Sequence, residues 1–307
     1  MEKVNRKKPT RLETLKELIG QNREFDIIEL FSKLHAADIA ELINYLDEED
    51  RLRLFTLLDV EKASDVILEL SDTSREELIE DLSNEQLTDI IEEMDSDDAA
   101  DFIAELSEDQ AKAVLDAIEP EESEEVKELL KYAEDTAGGI MQSELVSVGH
   151  TSTINDAFQA VADAQDAVEN IYNIFVVDDQ DKLIGAVPLQ RLITNKRFTP
   201  IVDAIEKDIP SVPEDMDQEE VAKIFRKYDL VSVPVVDAQN HLLGRITIDD
   251  IMDTVEEETS EDIYRIAGLN EDDTVFNRTT DSVKKRLPWL YLNLLTALAS
   301  VLVIGFF

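Results

Sequence analysis

A short motif recurs every twelve residues in the first third of the chain. Two of its clearest copies are Asp65-Val-Ile-Leu-Glu-Leu70 and Asp101-Phe-Ile-Ala-Glu-Leu106, with related copies at 77–82 and 89–94 and a looser one at 38–42. A repeat this short has room for one brief helix and a turn, so each unit can bury its apolar side only against its neighbours. The period therefore predicts an N-terminal superhelix of short α-helices.

Capping signals separate the copies. A serine followed three residues later by Glu or Gln can accept a hydrogen bond from a first-turn amide and receive the reciprocal bond. Such pairs predict where helices begin. The predicted capping boxes are Ser74 with Glu77, Ser83 with Gln86, and Ser107 with Gln110.

The charge, the residue composition and the motifs of the chain argue against several classes of function. The formal net charge is −42, which argues against a nucleic-acid partner. The chain has no cysteine and three scattered histidines, so a zinc centre is not expected. No arrangement of nucleophile and base and no phosphate-binding glycine loop indicates an enzyme.

Residues 249–262 concentrate the acidic surplus, with eight carboxylates in fourteen residues and no Lys or Arg. On a helix such neighbours repel one another, so the segment needs a neutralising partner or a solvated face. Helical spacing places the acidic and apolar side chains on different sides. The predicted apolar side consists of Ile251, Met252, Val255, Thr259 and Ile263, and the acidic side of Asp250, Asp253, Glu257 and Glu261.

The last 21 residues, 287–307, carry no charge, and a Lys284-Lys285-Arg286 cluster precedes them. As a helix they would span about 31 Å, enough to cross a bilayer. The basic cluster predicts that residues 1–286 are cytoplasmic and that Trp289 and Tyr291 lie at the interface. A buried C-terminal helix is the alternative. Because the sequence stops within the apolar run, we expect further membrane segments in the parent protein.

Between these regions the apolar pattern changes twice to strand, helix, strand, strand. The paired glycines of Ala137-Gly-Gly-Ile-Met141 precede the first copy, and Gly185 and Gly244 occupy equivalent places 59 residues apart. This double unit resembles a pair of CBS domains. In that family a hydroxyl and an acid after the last strand often bind adenine nucleotide. Gly244-Arg-Ile-Thr-Ile-Asp-Asp250 fits this signature loosely and 185–191 lacks both groups, so nucleotide binding is an alternative that the sequence does not favour.

The order of helical repeat, CBS pair, acidic helix and apolar segment resembles the MgtE family of magnesium transporters. The resemblance implies a homodimer whose connecting helix couples a cytoplasmic sensor to membrane helices, of which this chain carries the first. It implies a multidomain α and α+β fold. The expected parts are a helical N domain (1–134), two CBS domains (135–200 and 201–258), a connecting helix (259–286) and a transmembrane helix (287–307).

The same resemblance implies several weak, carboxylate-rich Mg²⁺ sites, and its ligand positions transfer residue by residue. A hard cation such as Mg²⁺ prefers these oxygen ligands. The assignments in the helical domain require a gap between Asp101 and Pro120, whereas the others need none. The predicted ligands are Asp65, Asp97, Asp101, the Gly139 carbonyl, Glu219, Asp229, Asp250, Asp253, Glu258, Glu261 and Asp262.

The resulting hypothesis is negative feedback. High Mg²⁺ bridges acidic faces of different domains and closes the pore, whereas at low Mg²⁺ repulsion opens it. Two other functions stay open: a membrane-anchored CBS module that senses adenine nucleotide, and a helical scaffold that binds a protein independently of Mg²⁺.

Overall fold

The computed structural model describes residues 10–165, 168 and 170–267, together with Leu287, Tyr291 and Thr296. The chain divides into two compact units. We call them the helical unit, Met1–Glu134 with Met141–Glu144, and the CBS unit, Asp135–Ile140 with Leu145–Phe307.

The described part of the helical unit contains ten α-helices of eight to ten residues. From the second onward, the helices begin every twelve residues, from Glu24 to Pro120, so the predicted period is confirmed and extends in both directions. The helices are α1 Arg11–Gly20, α2 Glu24–Phe31, α3 Ala36–Asn44, α4 Glu48–Phe55, α5 Val60–Leu68, α6 Asp72–Asp81, α7 Asn84–Ile91, α8 Ser96–Glu105, α9 Glu108–Leu115 and α10 Pro120–Leu129.

Buried apolar residues in the turns maintain this period. Leu46, Leu70, Leu82, Leu106 and Ile118 are buried, and each lies a multiple of twelve residues from the others. These five turns therefore return the chain to the core. Helices pack on the second helix along the chain: α3 on α5, α5 on α7, α7 on α9, α4 on α6, and α8 on α10. This alternation builds the predicted superhelix.

Two of the three predicted capping boxes form. Ser83 with Gln86 caps α7 and Ser107 with Gln110 caps α9. The prediction at Ser74 is wrong, because Ser71 is the N-cap and α6 already begins at Asp72. Ser74 lies buried in the first turn, where its hydroxyl oxygen accepts a hydrogen bond from the Ser71 hydroxyl at 3.1 Å.

The CBS unit contains two three-stranded sheets with the same topology. In each sheet the first strand is parallel to the second, and the second is antiparallel to the third. A helix connects the first two strands, as the sequence predicts. The first copy contains β1 Ser147–Gly149, α11 Ile154–Asp163, β2 Asn173–Val177, β3 Leu183–Pro188 and α12 Leu189–Thr194, followed by a 3₁₀ turn Ile201–Asp203; the second contains β4 Val212–Pro213, α13 Gln218–Tyr228, β5 Ser232–Val236, β6 Leu242–Thr247 and α14 Ile248–Ala267.

The hairpin turns of the two copies bond to each other. The Leu183 amide donates to the Asn240 carbonyl at 2.9 Å, and the Leu242 amide donates to the Asp181 carbonyl at 3.1 Å. Asp181 and Asn240 have positive φ, which Asp and Asn tolerate better than most residues. The hairpins thus join the two sheets with backbone bonds.

The segment 135–138, which we call the junction, bonds to the second copy although it precedes the first. The Ala137 amide donates to the Met216 carbonyl at 2.7 Å, and the Gly138 amide donates to the Glu214 carbonyl at 2.9 Å. In the first copy the linker after α12 takes the equivalent place, since the Ile154 amide donates to the Thr199 carbonyl at 2.9 Å.

Helix α14 runs without interruption from Ile248 to Ala267, so the predicted limit between residues 258 and 259 falls inside a helix. The remainder of the predicted connecting helix, 268–286, lies outside the described residues. Of the predicted membrane helix only Leu287, Tyr291 and Thr296 are described. Among described residues, no helix has both the length and the apolar character needed to cross a membrane.

Candidate metal-binding residues

Asp250 is the third residue of the acidic helix α14 and serves as part of its cap. One oxygen of its carboxylate accepts from the Thr247 amide at 2.9 Å and from the Thr247 hydroxyl at 2.7 Å. The Thr247 hydroxyl also lies within hydrogen-bond distance of Asp249. Both bonds run from Thr247 to Asp250, and the first of them satisfies a backbone donor that a helix N-terminus otherwise leaves unpaired.

The environment of Asp250 disfavours its charged form. Burial raises the pKa of this carboxyl above the ordinary aspartate value, and the Asp249 carboxylate raises it further. Hydrogen bonds from Thr247 and the charge of Arg245 oppose this shift without cancelling it. A divalent cation would stabilise the charged form that burial disfavours.

Asp253 lies one turn after Asp250 and is exposed. The buried side of α14 carries Ile251 and Thr254, and the Thr254 hydroxyl donates to the Asp250 carbonyl at 2.9 Å. The predicted apolar side is wrong at three positions whose side chains are exposed: Met252, Val255 and Thr259. Helix α13 packs on α14 and selects a narrower face than helical spacing alone suggests.

Glu219 and Glu258 come from the two helices that pack together, α13 and α14. Glu219 is exposed, and its carboxylate lies 3.3 Å from the Lys223 ammonium, which also pairs with Glu220 at 2.8 Å. Glu258 is half-buried and accepts from the Gln218 side-chain amide at 2.7 Å. Each of these two predicted ligands therefore already has a donor.

Asp229 is the C-cap of α13 and has left-handed backbone angles, φ 52° and ψ 46°. For a residue other than glycine this conformation costs about 1 kcal/mol. A negative charge at a helix C-terminus is also unfavourable, typically by about 0.3–1 kcal/mol. Asp229 is thus held where glycine would fit better.

Gly139 lies just after the junction and is buried. Its amide donates to the Thr136 carbonyl at 2.9 Å. The CBS unit therefore contains six of the predicted ligands at described side chains or backbone: Gly139, Glu219, Asp229, Asp250, Asp253 and Glu258. The side chains of Glu261 and Asp262 lie outside the described residues, although the backbone there is helical.

The three predicted ligands of the helical unit lie on two helices. Asp65 is exposed on α5, whereas Asp97 and Asp101 lie one turn apart on α8. Asp97 is buried and its carboxylate accepts from the Asp98 amide at 3.0 Å; Asp101 is exposed. Asp97 and Asp101 are four residues apart, which places both near one side of α8, but only Asp101 is exposed there.

A second acidic group in the helical unit was not predicted. Glu92, Glu122, Glu125 and Glu144 line a cavity of about 60 Å³. Burial raises the pKa of Glu122, and the neighbouring glutamates raise it further. The Ser96 hydroxyl donates to Glu144 at 2.8 Å. Glu122 and Glu125 are neighbours on α10, but Glu92 and Glu144 come from distant parts of the chain, which no spacing in the sequence brings together.

No group of three or more His, Asp or Glu side chains within the described residues is arranged to hold a metal ion. Mg²⁺ in proteins often keeps several waters and uses one or two carboxylates. Pairs such as Asp250 with Asp253 on α14 have the donor chemistry for this mode, whereas a full protein cage is not present among these residues.

The protein families that match the chain correspond to the helical unit and the CBS unit. The family of the MgtE intracellular N domain matches residues 34–135, and the CBS domain family matches residues 137–196 and 201–257. The magnesium transporter MgtE of Enterococcus faecalis is 40% identical over 170 residues, which cover 55% of this chain and 37% of that protein. The magnesium transporter MgtE of Thermus thermophilus is 33% identical over 187 residues, covering 60% and 42%. The chain thus spans about two fifths of the length of these relatives.

Solved structures extend the likeness across both units. The soluble part of a magnesium transporter matches with TM-score 0.71 and 33% identity, covering 80% of this chain and 97% of that one. The cytosolic domain of the Mg²⁺ channel MgtE in complex with ATP matches with TM-score 0.75 and 31% identity, covering 79% and 99%. An inosine-5'-monophosphate dehydrogenase of Thermoplasma acidophilum is similar over only 86 residues, 28% of this chain.

Proposed function

Because this chain belongs to the MgtE family of magnesium transporters, we propose that its two units sense Mg²⁺ and regulate a transporter in the membrane. Residues 1–286 are proposed to lie in the cytoplasm and residues 287–307 in the bilayer. High Mg²⁺ favours a closed arrangement and low Mg²⁺ an open one. The chain acts as a regulatory module in this proposal and not as an enzyme.

The observation that carries the proposal is the position of Asp229. It has an unfavourable backbone conformation and places a negative charge at the negative end of α13. Positive φ alone is tolerated by Asp and Asn, as at Asp181 and Asn240, so the combination with a negative charge at a helix C-terminus is what distinguishes Asp229. A bound Mg²⁺ would remove the electrostatic part of the cost and make aspartate preferable to glycine.

Several weak Mg²⁺ sites together can supply about the free energy that a conformational switch needs. One weak site with a dissociation constant equal to the free Mg²⁺ concentration stabilises the bound state by only about 0.4 kcal/mol. About six such sites per subunit, doubled in a dimer, would supply roughly 5 kcal/mol. Moving an equilibrium from 1:99 to 99:1 takes about 5.5 kcal/mol. Many weak sites can therefore do what one cannot.

The proposal includes a homodimer. Ile193 on α12 and Met252 on α14 are 66% and 61% exposed. They lie 59 positions apart, the same interval as Gly185 and Gly244, so both copies present an apolar side chain at an equivalent place. A self-complementary contact is the usual solution for such a surface in a symmetric dimer. Sedimentation of an Ile193→Glu, Met252→Glu double variant should show a smaller species than the wild type.

Hydrogen–deuterium exchange of the 307-residue chain in detergent micelles tests the proposal. Millimolar Mg²⁺ should slow exchange in α13 and α14 relative to NaCl of equal ionic strength. Equal exchange in both salts in the wild type would refute Mg²⁺ sensing.

Asp229→Asn tests the observation directly, because asparagine tolerates the same backbone angles but carries no charge. We expect the Mg²⁺ concentration for half-maximal protection to rise at least about tenfold. Asp215→Asn is the control, since Asp215 is an exposed carboxylate of the second copy but not a predicted ligand. An unchanged midpoint for Asp229→Asn would remove Asp229 from the ligand set.

Adenine nucleotide is a second candidate ligand. The Thr247 hydroxyl and the Asp250 carboxylate lie 2.7 Å apart after the last strand of the second copy, as the CBS nucleotide signature requires, and one similar structure is a complex with ATP. Calorimetric titration of ATP at fixed Mg²⁺ separates this function from cation sensing. Heat of binding that disappears in Thr247→Val would support it.

A further inference from the structure

Gln218 connects two parts of the CBS unit through its backbone and its side chain. It is the first residue of α13, and its amide donates to the Asp135 carbonyl of the junction at 2.9 Å. Its side-chain amide donates to the Glu258 carboxylate at 2.7 Å. One residue thus links the junction to α14.

The hydrogen bond from the Gln218 amide to the Asp135 carbonyl fixes the position of the Gln218 backbone. The first amides of a helix have no partner within the helix, so an external carbonyl fixes where the helix begins. Further bonds, from Ala137 to Met216 and from Gly138 to Glu214, hold the junction beside the same loop. The side chain of Gln218 therefore starts from an anchored position.

The chemistry of the side chain suits a carboxylate that also binds a cation. An amide donates a hydrogen bond but carries no charge, so it orients Glu258 without cancelling the charge that attracts Mg²⁺. A lysine in this place would compete with the ion, as the Lys223 ammonium can at Glu219. Carboxylates that bind metals are commonly held by such outer partners, whose loss weakens binding by about 10–100-fold.

We infer that Gln218 is a positioning residue, which orients Glu258 toward Mg²⁺ and ties that carboxylate to the junction. The inference rests on the proposed Mg²⁺ sensing. Movement of the junction would be transmitted to α14 through two consecutive hydrogen bonds, and binding of Mg²⁺ at Glu258 would in turn stabilise the junction.

Gln218→Met tests the inference because methionine keeps the length of the side chain and its helix propensity but removes the donor. In exchange measurements on the full chain in micelles, we expect the Mg²⁺ midpoint for protection of both the junction and α14 to rise about tenfold. The matched control is Gln159→Met. Gln159 donates to Asp163 at the same distance, 2.7 Å, on α11, away from every predicted ligand, so its midpoint should stay at the wild-type value.

A double-mutant cycle separates positioning from a general structural effect. If Gln218 acts through Glu258, then Gln218→Met should not change the midpoint further in a Glu258→Gln background. Additive shifts would overturn the inference, and so would a wild-type midpoint in Gln218→Met. If Gln218→Met does not fold, Gln218→Asn replaces it, because it keeps the donor but shortens its reach and should also raise the midpoint; a wild-type midpoint would overturn the inference. No response to Mg²⁺ in the wild type would instead refute the proposed function.

Discussion

The two CBS copies share one topology but place opposite charges at the same point. After β6 the chain continues as Thr247-Ile-Asp-Asp250, and the carboxylate of Asp250 caps α14. After β3 the equivalent residues are Pro188-Leu-Gln-Arg191. Proline has no amide to cap, and Arg191 instead bonds to the Ala204 carbonyl at 3.2 Å and to Glu206 at 2.7 Å.

This difference concerns how the charges at the two equivalent positions are balanced. In the first copy Arg191 is neutralised within the copy, and α12 ends after six residues. In the second copy the acids continue along the 20-residue α14. The negative charge that the proposed Mg²⁺ would bridge is therefore concentrated in the second copy.

The largest expected effect on stability comes from the close approach of the Glu206 backbone to Gly185 in the first copy. A Cβ on Gly185 would lie 2.3 Å from the Glu206 carbonyl oxygen, so Gly185→Ala must displace backbone and should destabilise by about 3 kcal/mol. The thermal midpoint of unfolding should fall by roughly 6–12 °C.

Gly149→Ala is the matched control for this substitution, since no atom lies within 4 Å of its added Cβ. Its midpoint should stay near that of the wild type. Equal midpoints for both variants would show that the Glu206 segment moves away without cost.

A smaller effect tests the side-chain cap that α14 has and the equivalent helix α12 lacks. Thr247→Val removes the hydroxyl from the start of α14 and should destabilise the protein by about 1 kcal/mol in urea unfolding. Thr247→Ser keeps the hydroxyl and should retain most of the stability. If valine and serine behave alike, the hydroxyl contributes nothing to the cap.

The smallest effect is a pH dependence centred on Asp250. Because the folded-state pKa is raised, this group favours folding most at low pH, and that contribution is lost as pH rises through the folded pKa. Asp250→Asn keeps a carbonyl acceptor for the cap and does not ionise. Its stability relative to the wild type should therefore increase as pH rises above about 4, the ordinary aspartate range.

Urea unfolding across a pH series measures this difference. A difference that does not vary with pH would show that Asp250 ionises like an exposed aspartate. Asp253→Asn is the control, because Asp253 is exposed and no comparable burial acts on it.

Much of the fold was predictable because its signals are local. The twelve-residue period fixes where helices begin, and the alternation of apolar residues fixes the two strand–helix–strand–strand copies. The capping box at Ser74 failed because Ser71 lies one turn earlier and captures the helix start. The prediction of which α14 side chains are buried was less accurate. Thr254 is buried and Met252 is exposed, because packing against α13 decides which face of α14 is covered.

By itself the sequence determined the repeat, the doubled sheet motif, the acidic surplus and the family, because each is set by neighbours along the chain or by residue identity. The tertiary structure alone decided that the junction bonds to the second copy, that Gln218 reaches Glu258 and that Glu122 lies among three other glutamates. These contacts join residues 22 to 83 positions apart along the chain, namely Glu122 with Glu144, Gln218 with Glu258, and Asp135 with Gln218. Packing brings such residues together, and no local periodicity encodes it.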